Sequence, residues 1–421
     1  MRLTLINQFY PPDIAPTGAL LESLAEHRAD RGDEVTVVTS RGGYVKASTN
    51  RSKTNKRNPC VDRLWTPQFG KATIVKRCLD YAAFYLLAAW RMLRLPRQDV
   101  IVAMTTPPYI AWTALLHKLL HPRTRVILWS SDCYPEVAER AGVIRPGGML
   151  SRLMRAVNRA MFRSLDHVVC LDTAMRSLLQ SHYAHERALL PATVIPNWEP
   201  AAFYPPEIGP RRPSERADRG LGERFVVLYS GNMGRGHRFE TVIDAAEALR
   251  NEPVTFLFVG AGAQRRAIES AKRQRNLENV LVDDYVPKQR LRALLATADC
   301  ALITMRDEML GLISPSKLHA NLAMGIPIIY VGPEKSNVDE AIRQFDCGVS
   351  LRHGDTAGLV DFIRAAMKDP RYLADLGARA RAAFDRAYCD RCTLPMFDAV
   401  IDRTPLPDRT VREIPPQRKA A

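Results

Sequence analysis

The chain alternates between short runs of apolar, often β-branched residues and longer stretches in which apolar residues recur with helical spacing. Near-continuous apolar strands of this kind are typical of parallel sheets that helices cover on both faces. Each half of the chain therefore predicts a doubly wound α/β domain. The strand runs read "RLTLINQF", "EVTVVTS", "DVIVAMTT", "RVILWSSD", "HVVCLD" and "ATVIPN" in the first half, and "FVVLYSG", "VTFLFVG", "NVLVDDY", "DCALITM", "PIIYVG" and "GVSL" in the second.

A stretch without periodicity separates the two halves. Residues 200–223 are rich in Pro, Gly and Arg, as is typical of a linker. We therefore expect a first domain over 1–199, a second over 224–390, and a C-terminal segment with a disordered tail over 391–421. Ligands of parallel sheets bind at the carboxyl ends of the strands, so two such domains predict a site in the cleft between them.

Composition and charge narrow the class of protein. The 46% hydrophobic and 25% charged residues are typical of a soluble globular protein, and the net charge of +15 favours polyanionic partners. Most of the eight cysteines lie in apolar runs, which fits a reducing cytoplasm, and the one C-x-x-C pair, Cys389 and Cys392, has no second pair. The N-terminus reads directly as a strand, so we expect no signal peptide.

Residues 76–97 are the best candidate for a membrane contact. Their apolar run, Tyr81 to Trp90, is half the length needed to span a bilayer. Aromatic side chains and flanking basic residues would allow this segment to lie in a bilayer interface. An amphipathic helix packed on its own sheet is the alternative. A long basic loop over residues 41–60 precedes it, and loops of this length are usually functional or disordered.

A glycine-rich loop joins the strand "FVVLYS" to a helix. Gly231, Gly234 and Gly236 occupy this turn, where backbone N–H groups and the helix dipole favour an anion. Arg235 and Arg238 add positive charge. The spacing G-x-x-G-x-G is neither the dinucleotide motif nor a P-loop, and a plain tight turn stays open.

Two further turns carry candidate chemistry. Ser314 and Ser316 precede a helix that begins near Lys317, so an N-cap hydroxyl and a lysine charge could hold a phosphate there; a simple capped helix is the alternative. Two helix N-termini that could each bind an anion, one after the glycine loop and one near Lys317, favour a diphosphate ligand in this half of the chain. Asp132 closes a strand in the first half, a position typical of site residues, although a helix-capping carboxylate would also fit.

Taken jointly, the motifs resemble the retaining glycosyltransferases of glycosyltransferase family 4, in the branch that builds exopolysaccharide, O-antigen and colanic acid. The resemblance covers residues 1 to about 390. The stretches that carry it read "FYPPDIAPTG", "GDEVTVVTSRGGY", "SSDCYPE", "VIPNW", "LYSGNMGRGHRFETVIDAA", "FVGAGAQRR" and "ISPSKLHANLAMGIPIIYVGP".

The resemblance implies a GT-B fold, in which two facing Rossmann-like domains enclose the active site. The first domain, 1–199, would bind the acceptor, and the second would bind a nucleoside-diphosphate sugar. The implied donor contacts come from one glycine of the first domain and several residues of the second: Gly18; the diphosphate loop Gly231, Asn232, Gly234 and Arg235; the "VGxG" turn Gly260 and Gly262; Val286 for the base; and Ser316 and Lys317 for phosphate.

One departure from the family pattern affects the donor sugar. Many members carry two glutamates eight residues apart, and the corresponding positions here are Leu312 and Ala320. Glu308 is the best remaining match to the first glutamate, with a longer spacing. The exopolysaccharide branch commonly departs in the same way, so activity is still expected.

Glycosyl transfer leaves negative charge on the departing diphosphate, so catalysis consists largely of stabilising that group. Asp132, Glu308 and Lys317 are the candidate catalytic residues, and we expect no cofactor and no obligatory metal. The expected partners are a nucleotide sugar, a lipid-linked saccharide acceptor, which we expect to be polyprenyl-diphosphate-linked, and an anionic membrane surface. They place the enzyme in the cytoplasm, peripheral on the inner face of the plasma membrane.

Two other functions stay open. A nucleotide-sugar 2-epimerase has the same two-domain fold and would need no acceptor. The charge also permits a nucleic-acid-binding protein, but no binding motif is present and the basic residues are not interleaved with aromatic ones. We therefore expect no nucleic-acid partner.

Overall fold

A computed structural model describes residues 1–13, 15–41, 59–67, 74–184, 190–205 and 213–407, with side chains for all of these except 74–78, 213 and 214. The chain divides into two compact units. The first comprises Met1–Pro196 together with Gly311–Ser314, and the second comprises the residues from Asn197 onward apart from that segment. Most of the predicted basic loop over 41–60, and residues 408–421 of the predicted tail, lie outside the described residues.

The first unit contains a seven-stranded parallel sheet of order β3-β2-β1-β4-β5-β6-β7. The central strand β4 is buried along its whole length because helices cover both faces of the sheet. The strands are β1 (Arg2–Ile6), β2 (Glu34–Ser40), β3 (Cys60–Leu64), β4 (Val100–Met104), β5 (Arg125–Trp129), β6 (His167–Cys170) and β7 (Ala192–Val194), and the helices are α1 (Pro16–Asp30), α2 (Ile74–Arg94), α3 (Ala111–Leu120), α4 (Glu136–Arg140), α5 (Met149–Ser164) and α6 (Thr173–Tyr183).

The second unit repeats this architecture with six parallel strands in the order β10-β9-β8-β11-β12-β13. The strands are β8 (Phe225–Ser230), β9 (Val254–Val259), β10 (Val280–Asp283), β11 (Cys300–Thr304), β12 (Ile328–Val331) and β13 (Gly348–Leu351). The helices are α7 (Pro213–Ala217), α8 (Glu240–Ala248), α9 (Arg265–Gln274), α10 (Leu291–Leu295), α11 (Lys317–Ala323), α12 (Asn337–Phe345), α13 (Thr356–Lys368), α14 (Pro370–Ala383) and α15 (Asp390–Asp402). The predicted doubly wound α/β fold is thereby confirmed in both halves.

Strand β3 was not predicted from the sequence. It pairs only with β2 among the described strands, and all five of its residues are partly or fully exposed. An edge strand of this kind needs no continuous apolar run, so "CVDRL" carries little strand signal.

The described part of the predicted linker packs within the second unit. Arg216, on α7, is buried and forms an ion pair with Asp299 at the start of β11. Beyond the predicted second domain, α15 contributes buried residues such as Phe397, whose ring meets that of Trp198 at 5.7 Å. Both segments therefore belong to the folded body of this unit.

Helix α2 contains most of the predicted membrane segment. Asp80, Phe84, Ala88 and Met92 recur every fourth residue and are buried, and the helix packs on α3, β2 and β3. The inner face of α2 therefore packs on its own sheet, as expected for the alternative of an amphipathic helix. No helix among the described residues is long and apolar enough to cross a membrane.

Candidate functional site

The glycine loop, residues 231–239, connects β8 to α8 at the carboxyl edge of the second sheet. Its backbone is tied to the turn that follows β9: Gly231 N donates to Val259 O and Met233 N donates to Ala261 O, both at 2.8 Å. These two N–H groups are therefore committed to the protein itself. The two hydrogen bonds fix the position of the loop relative to the end of the neighbouring strand, β9.

Glycine is required where the two turns meet. Gly260 and Gly262 have φ angles of +143° and +142°, in the left-handed region. A β-carbon on Gly262 would lie 2.5 Å from the carbonyl carbon and oxygen of Met233. The structure thus brings the predicted glycines of the "VGxG" turn against the predicted diphosphate loop, and each holds the other's backbone in place.

Lys317, the first residue of α11, extends its side chain into the glycine loop. Its Cε would lie 2.9 Å from a β-carbon on Gly231, and its Nζ lies 4.6 Å from the ring centroid of Tyr229. Burial lowers the pKa of the Lys317 ammonium to about 8, so the group still carries its proton at pH 7. Ser316 occupies the N-cap position, but its side chain makes no capping hydrogen bond, contrary to the simple capped-helix alternative.

His237 lies inside the same loop and contacts Lys317. Its Nε2 is 3.4 Å from Lys317 Nζ, and its Nδ1 is 2.6 Å from the carbonyl oxygen of Thr304 at the end of β11. Burial, together with the Lys317 charge, lowers the pKa of His237 to about 3. The imidazole is therefore neutral at physiological pH.

The Lys317 ammonium has no acidic partner among the described residues. Within that part of the chain, no carboxylate lies within ion-pair distance of it, and His237 is its hydrogen-bond partner. A shielded cation without a counter-ion is costly, because its attraction to an opposite charge does not offset its loss of hydration. The arrangement suits an anionic ligand at the glycine loop.

A polar pocket adjoins the loop. Arg306 N donates to Gly236 O at 2.9 Å, and Arg306 Nε donates to His237 O at 3.2 Å, which anchors the pocket wall to the loop. Glu308, from a 3₁₀ turn over Asp307–Met309, lies in this pocket. The lining residues are Arg238, Glu240, Arg306, Asp307, Glu308 and His353.

Comparison with known proteins identifies the architecture. The model of the "Glycosyl transferase 4-like domain" matches residues 17–198, and that of "Glycosyl transferases group 1" matches residues 211–383. The chain is 26% identical to the protein named as colanic acid biosynthesis glycosyl transferase WcaI of Escherichia coli (strain K12), over 88% of this chain and 93% of that one. It is 25% identical to the glycosyltransferase WbjE of Pseudomonas aeruginosa, over 73% and 75%.

The chain belongs to glycosyltransferase family 4. Its fold is GT-B, with two Rossmann-like domains in one chain. Among solved structures, the Anabaena protein Alr3699/HepE in complex with UDP and glucose matches with a TM-score of 0.67, at 15% identity, over 96% of this chain and 100% of that one. The expected family and fold are both confirmed, and the protein is a glycosyltransferase.

The two positions at which many family-4 members carry glutamate are apolar and buried here. Leu312 is 2% exposed and Ala320 is 9% exposed. Neither position can offer a carboxylate to a ligand. Glu308 and its neighbour Asp307 are exposed in the polar pocket, so the 3₁₀ turn is where this segment presents acidic groups to solvent.

The family's base contact was expected at Val286, in the segment after β10. Val286 itself is partly buried, whereas the preceding residue, Tyr285, is 55% exposed and presents an aromatic ring. Its ring carbon Cε1 would lie 3.4 Å from a β-carbon on Gly260, so the ring lies on the turn that supports the glycine loop. Sequence reasoning missed Tyr285, although an aromatic residue at the end of the predicted strand run "NVLVDDY" was visible.

In the first unit, Asp132 follows β5 and lies beside the end of β4. The backbone N–H groups of Ser131 and Asp132 donate to Thr105 Oγ1 at 2.9 and 3.2 Å. Burial raises the pKa of the Asp132 carboxyl. Gly18, in the first turn of α1, is buried, and a β-carbon there would lie 3.2 Å from the carbonyl of Phe9.

A buried ionic network near Asp132 was also missed. Glu136 is 5% exposed and accepts a hydrogen bond from Tyr183 Oη at 2.9 Å. Arg155 and His182 each lie 3.0 Å from the same carboxylate oxygen. These contacts link α4, α5 and α6, and α4 begins four residues after Asp132. The partners are far apart in the sequence, so no local motif reveals the network.

Proposed function

We propose that this glycosyltransferase transfers a sugar, with retention of anomeric configuration, from a nucleoside-diphosphate sugar to a lipid-linked saccharide during cell-surface polysaccharide synthesis. The observation that carries the proposal is the Lys317 ammonium, which is shielded beside the glycine loop without a carboxylate partner among the described residues. The names of the relatives WcaI and WbjE and the UDP complex of the Anabaena protein support the substrate class.

In this proposal the second unit stabilises the departing diphosphate. Negative charge grows on the β-phosphate as the glycosidic bond breaks, and a fixed cation beside it lowers the barrier. Lys317 supplies that cation, and the exposed Arg235 supplies a second charge at the loop surface. Asn232, Gly234 and Ser316 complete the phosphate contacts. Since protein cations then balance the charge, we also propose that no divalent metal is required.

The nucleoside end of the donor is proposed to lie at the turn after β10. Tyr285 offers a half-exposed aromatic face there, and bases stack on such rings irrespective of their identity. Val286 would contact the base edge through its backbone. The sugar end is proposed to reach Glu308, whose carboxylate can accept hydrogen bonds from sugar hydroxyls.

The first unit is proposed to bind the acceptor. The carboxyl group of Asp132, with its pKa raised by burial, would hydrogen-bond a sugar hydroxyl of the acceptor or the donor. Gly18 would lie against the donor phosphates, since it allows α1 to begin close to the loop after β1.

The outer face of α2, α3 and α5 is proposed to dock on the membrane that carries the acceptor. The connections β3–β4, β4–β5 and β5–β6 all run in the same direction across the sheet, so right-handed crossovers place these three helices on one face. Helix α3 packs against both of the others. The exposed large apolar residues of this face are Leu79, Leu86, Trp90, Leu93, Leu116, Leu119, Leu120, Met149, Leu150 and Leu153.

Positive charge accompanies these apolar residues. Arg152, Arg159 and Arg163 are exposed on α5, and no acidic partner within the described ranges pairs with them. The Arg94 guanidinium lies 3.9 Å from the ring centroid of Trp90. Each basic residue near an anionic bilayer contributes roughly 1 kcal/mol of attraction. This combination favours a peripheral location on an anionic inner membrane.

Incubation with UDP-, GDP-, dTDP- and ADP-sugars tests the proposal, with and without a membrane lipid extract. We expect one donor to raise the melting temperature, and its sugar to pass to the lipid fraction without metal and in the presence of EDTA. Conversion of the nucleotide sugar in the absence of lipid would instead identify an epimerase. If none of the four donors stabilises the protein or is consumed, the proposed function is wrong.

A further inference from the structure

His237 lies in the middle of the glycine loop and is only 8% exposed. Nothing in the proposed function assigns it a role, yet it contacts two elements of the site. Its ring meets the ring of Tyr229 edge-on, with centroids 5.8 Å apart, and Tyr229 is the residue above which Lys317 Nζ lies. His237, Tyr229 and Lys317 therefore form one packed group.

The hydrogen bonds of His237 define its tautomer. The Thr304 carbonyl oxygen, 2.6 Å from Nδ1, can only accept, so Nδ1 must carry the proton. In a neutral ring Nε2 then has a lone pair and no hydrogen. That lone pair faces the Lys317 ammonium at 3.4 Å, where the ammonium must be the donor.

We propose that His237 is a positioning residue: its neutral Nε2 accepts a hydrogen bond from Lys317 and holds the ammonium where the donor's diphosphate binds. The inference rests on the proposed function and deepens it. A lysine on a four-carbon stem is otherwise free to adopt many rotamers, and fixing it in advance reduces the entropy lost when the ligand binds.

A histidine suits position 237 because the side chain there must hold Lys317 without carrying a charge of its own. An aspartate or glutamate at position 237 would pair with Lys317 and cancel the charge that the diphosphate needs. A lysine or arginine would repel it. A neutral imidazole, fixed by the Thr304 carbonyl, orients the ammonium and leaves its charge available.

Two substitutions separate this role from simple anchoring of the loop. In His237→Asn the amide nitrogen takes the place of Nδ1 and can still donate to Thr304 O, but nothing reaches Lys317. In His237→Gln the amide oxygen takes the place of Nε2 and can still accept from Lys317. Nucleotide affinity is measured by calorimetry with UDP, GDP, dTDP and ADP as the probes.

We expect His237→Asn to weaken the tightest of these nucleotides about tenfold, in keeping with loss of one hydrogen bond to a charged group. His237→Gln should retain most of the affinity. In steady state, with the donor found for the wild type, kcat should fall in His237→Asn along with donor affinity, whereas KM for the acceptor should not change. The opposite order, with His237→Asn better than His237→Gln, would show that His237 only anchors the loop to Thr304.

A Lys317→Met background and a second histidine provide the controls. If His237 acts through Lys317, His237→Asn should have no further effect on affinity once Lys317 is replaced. His117, buried on α3, donates from Nδ1 to Met92 O at 2.8 Å in the same manner, and His117→Asn should leave nucleotide affinity unchanged. A wild-type protein that binds none of the four nucleotides would overturn the proposed function itself, whereas equal binding by wild type and His237→Asn would overturn this inference alone.

Discussion

Gly260 lies so close to Gly231 that a β-carbon on Gly260 would overlap the carbonyl oxygen of Gly231. The turn after β9 and the glycine loop after β8 can therefore approach each other only while residue 260 has no side chain. This contact sets the distance between two of the strand ends that form the candidate donor site.

Gly260→Ala should displace the glycine loop and lower stability by about 3 kcal/mol, the cost typical of overpacking. Nucleotide binding should be lost even at temperatures at which the variant stays folded. Thermal melts and calorimetry measure the two effects. Gly220→Ala is the control, because Gly220 has φ +63° but a β-carbon there would have no heavy atom within 4 Å, and it should lose about 1 kcal/mol without affecting binding. Equal effects of the two substitutions would contradict a specific clash.

Lys317→Met should reduce turnover about a hundredfold, because it removes one preorganised positive charge of the protein that stabilises the leaving group. It should also raise the melting temperature at pH 7. The folded-state pKa of Lys317, about 8, lies below its ordinary value, so the charged lysine destabilises the fold below pH 8, and the penalty disappears as pH rises toward 10.5. The stability gain of Lys317→Met should accordingly vanish at alkaline pH. A variant with unchanged turnover would remove Lys317 from the site.

The pH profile of the wild type should reflect the same group. Nucleotide affinity should fall as pH rises through about 8, where Lys317 loses its proton. The two side chains that face it do not titrate in this range: burial and the lysine charge keep His237 neutral, and burial raises the pKa of Tyr229 far above it. Affinity that stays constant from pH 7 to 9 would contradict this assignment.

Much of the fold follows from local pattern, since apolar β-branched runs alternate with helical spacing throughout. The convergence of Gly231, Gly260 and Lys317 was predictable as well, because each follows a strand or begins a helix at one sheet edge. The position of His237 was not, since it depends on a contact with Thr304, which is distant in sequence. Tyr285 was visible in the sequence as an aromatic residue, but its contact with Gly260 was not. Strand β3 was not predicted for a different reason: it lies at an exposed edge of the sheet, where a strand needs no continuous apolar run.

Tyr285→Ala should weaken nucleotide binding by about 5- to 150-fold, since stacking of one base on an aromatic ring contributes about 1–3 kcal/mol. Tyr285→Phe should bind as the wild type does, because the ring face is retained. Tyr372→Ala provides a matched control: Tyr372 is another partly exposed tyrosine of the second unit, outside the glycine loop and the turn after β10, and its loss should leave affinity unchanged. Comparable losses from both alanine variants would point to a general effect on the fold.

Replacing Leu86, Leu119 and Leu153 by Gln, one on each of α2, α3 and α5, should abolish flotation with vesicles of phosphatidylethanolamine and phosphatidylglycerol. Each exposed leucine would contribute roughly 1 kcal/mol on entering the bilayer interface. Replacing Arg152, Arg159 and Arg163 by Gln should weaken binding chiefly at low salt, because screening already removes that attraction at high salt.

Leu406→Gln is the control for the apolar variant. Leu406 is 48% exposed but belongs to the second unit, so its substitution should leave flotation unchanged. Turnover of a water-soluble acceptor analogue should survive in all of these variants, whereas turnover of a lipid-linked acceptor in vesicles should fall in step with flotation. Wild-type protein that fails to float with anionic vesicles at low salt would exclude the outer face of α2, α3 and α5 as a membrane contact.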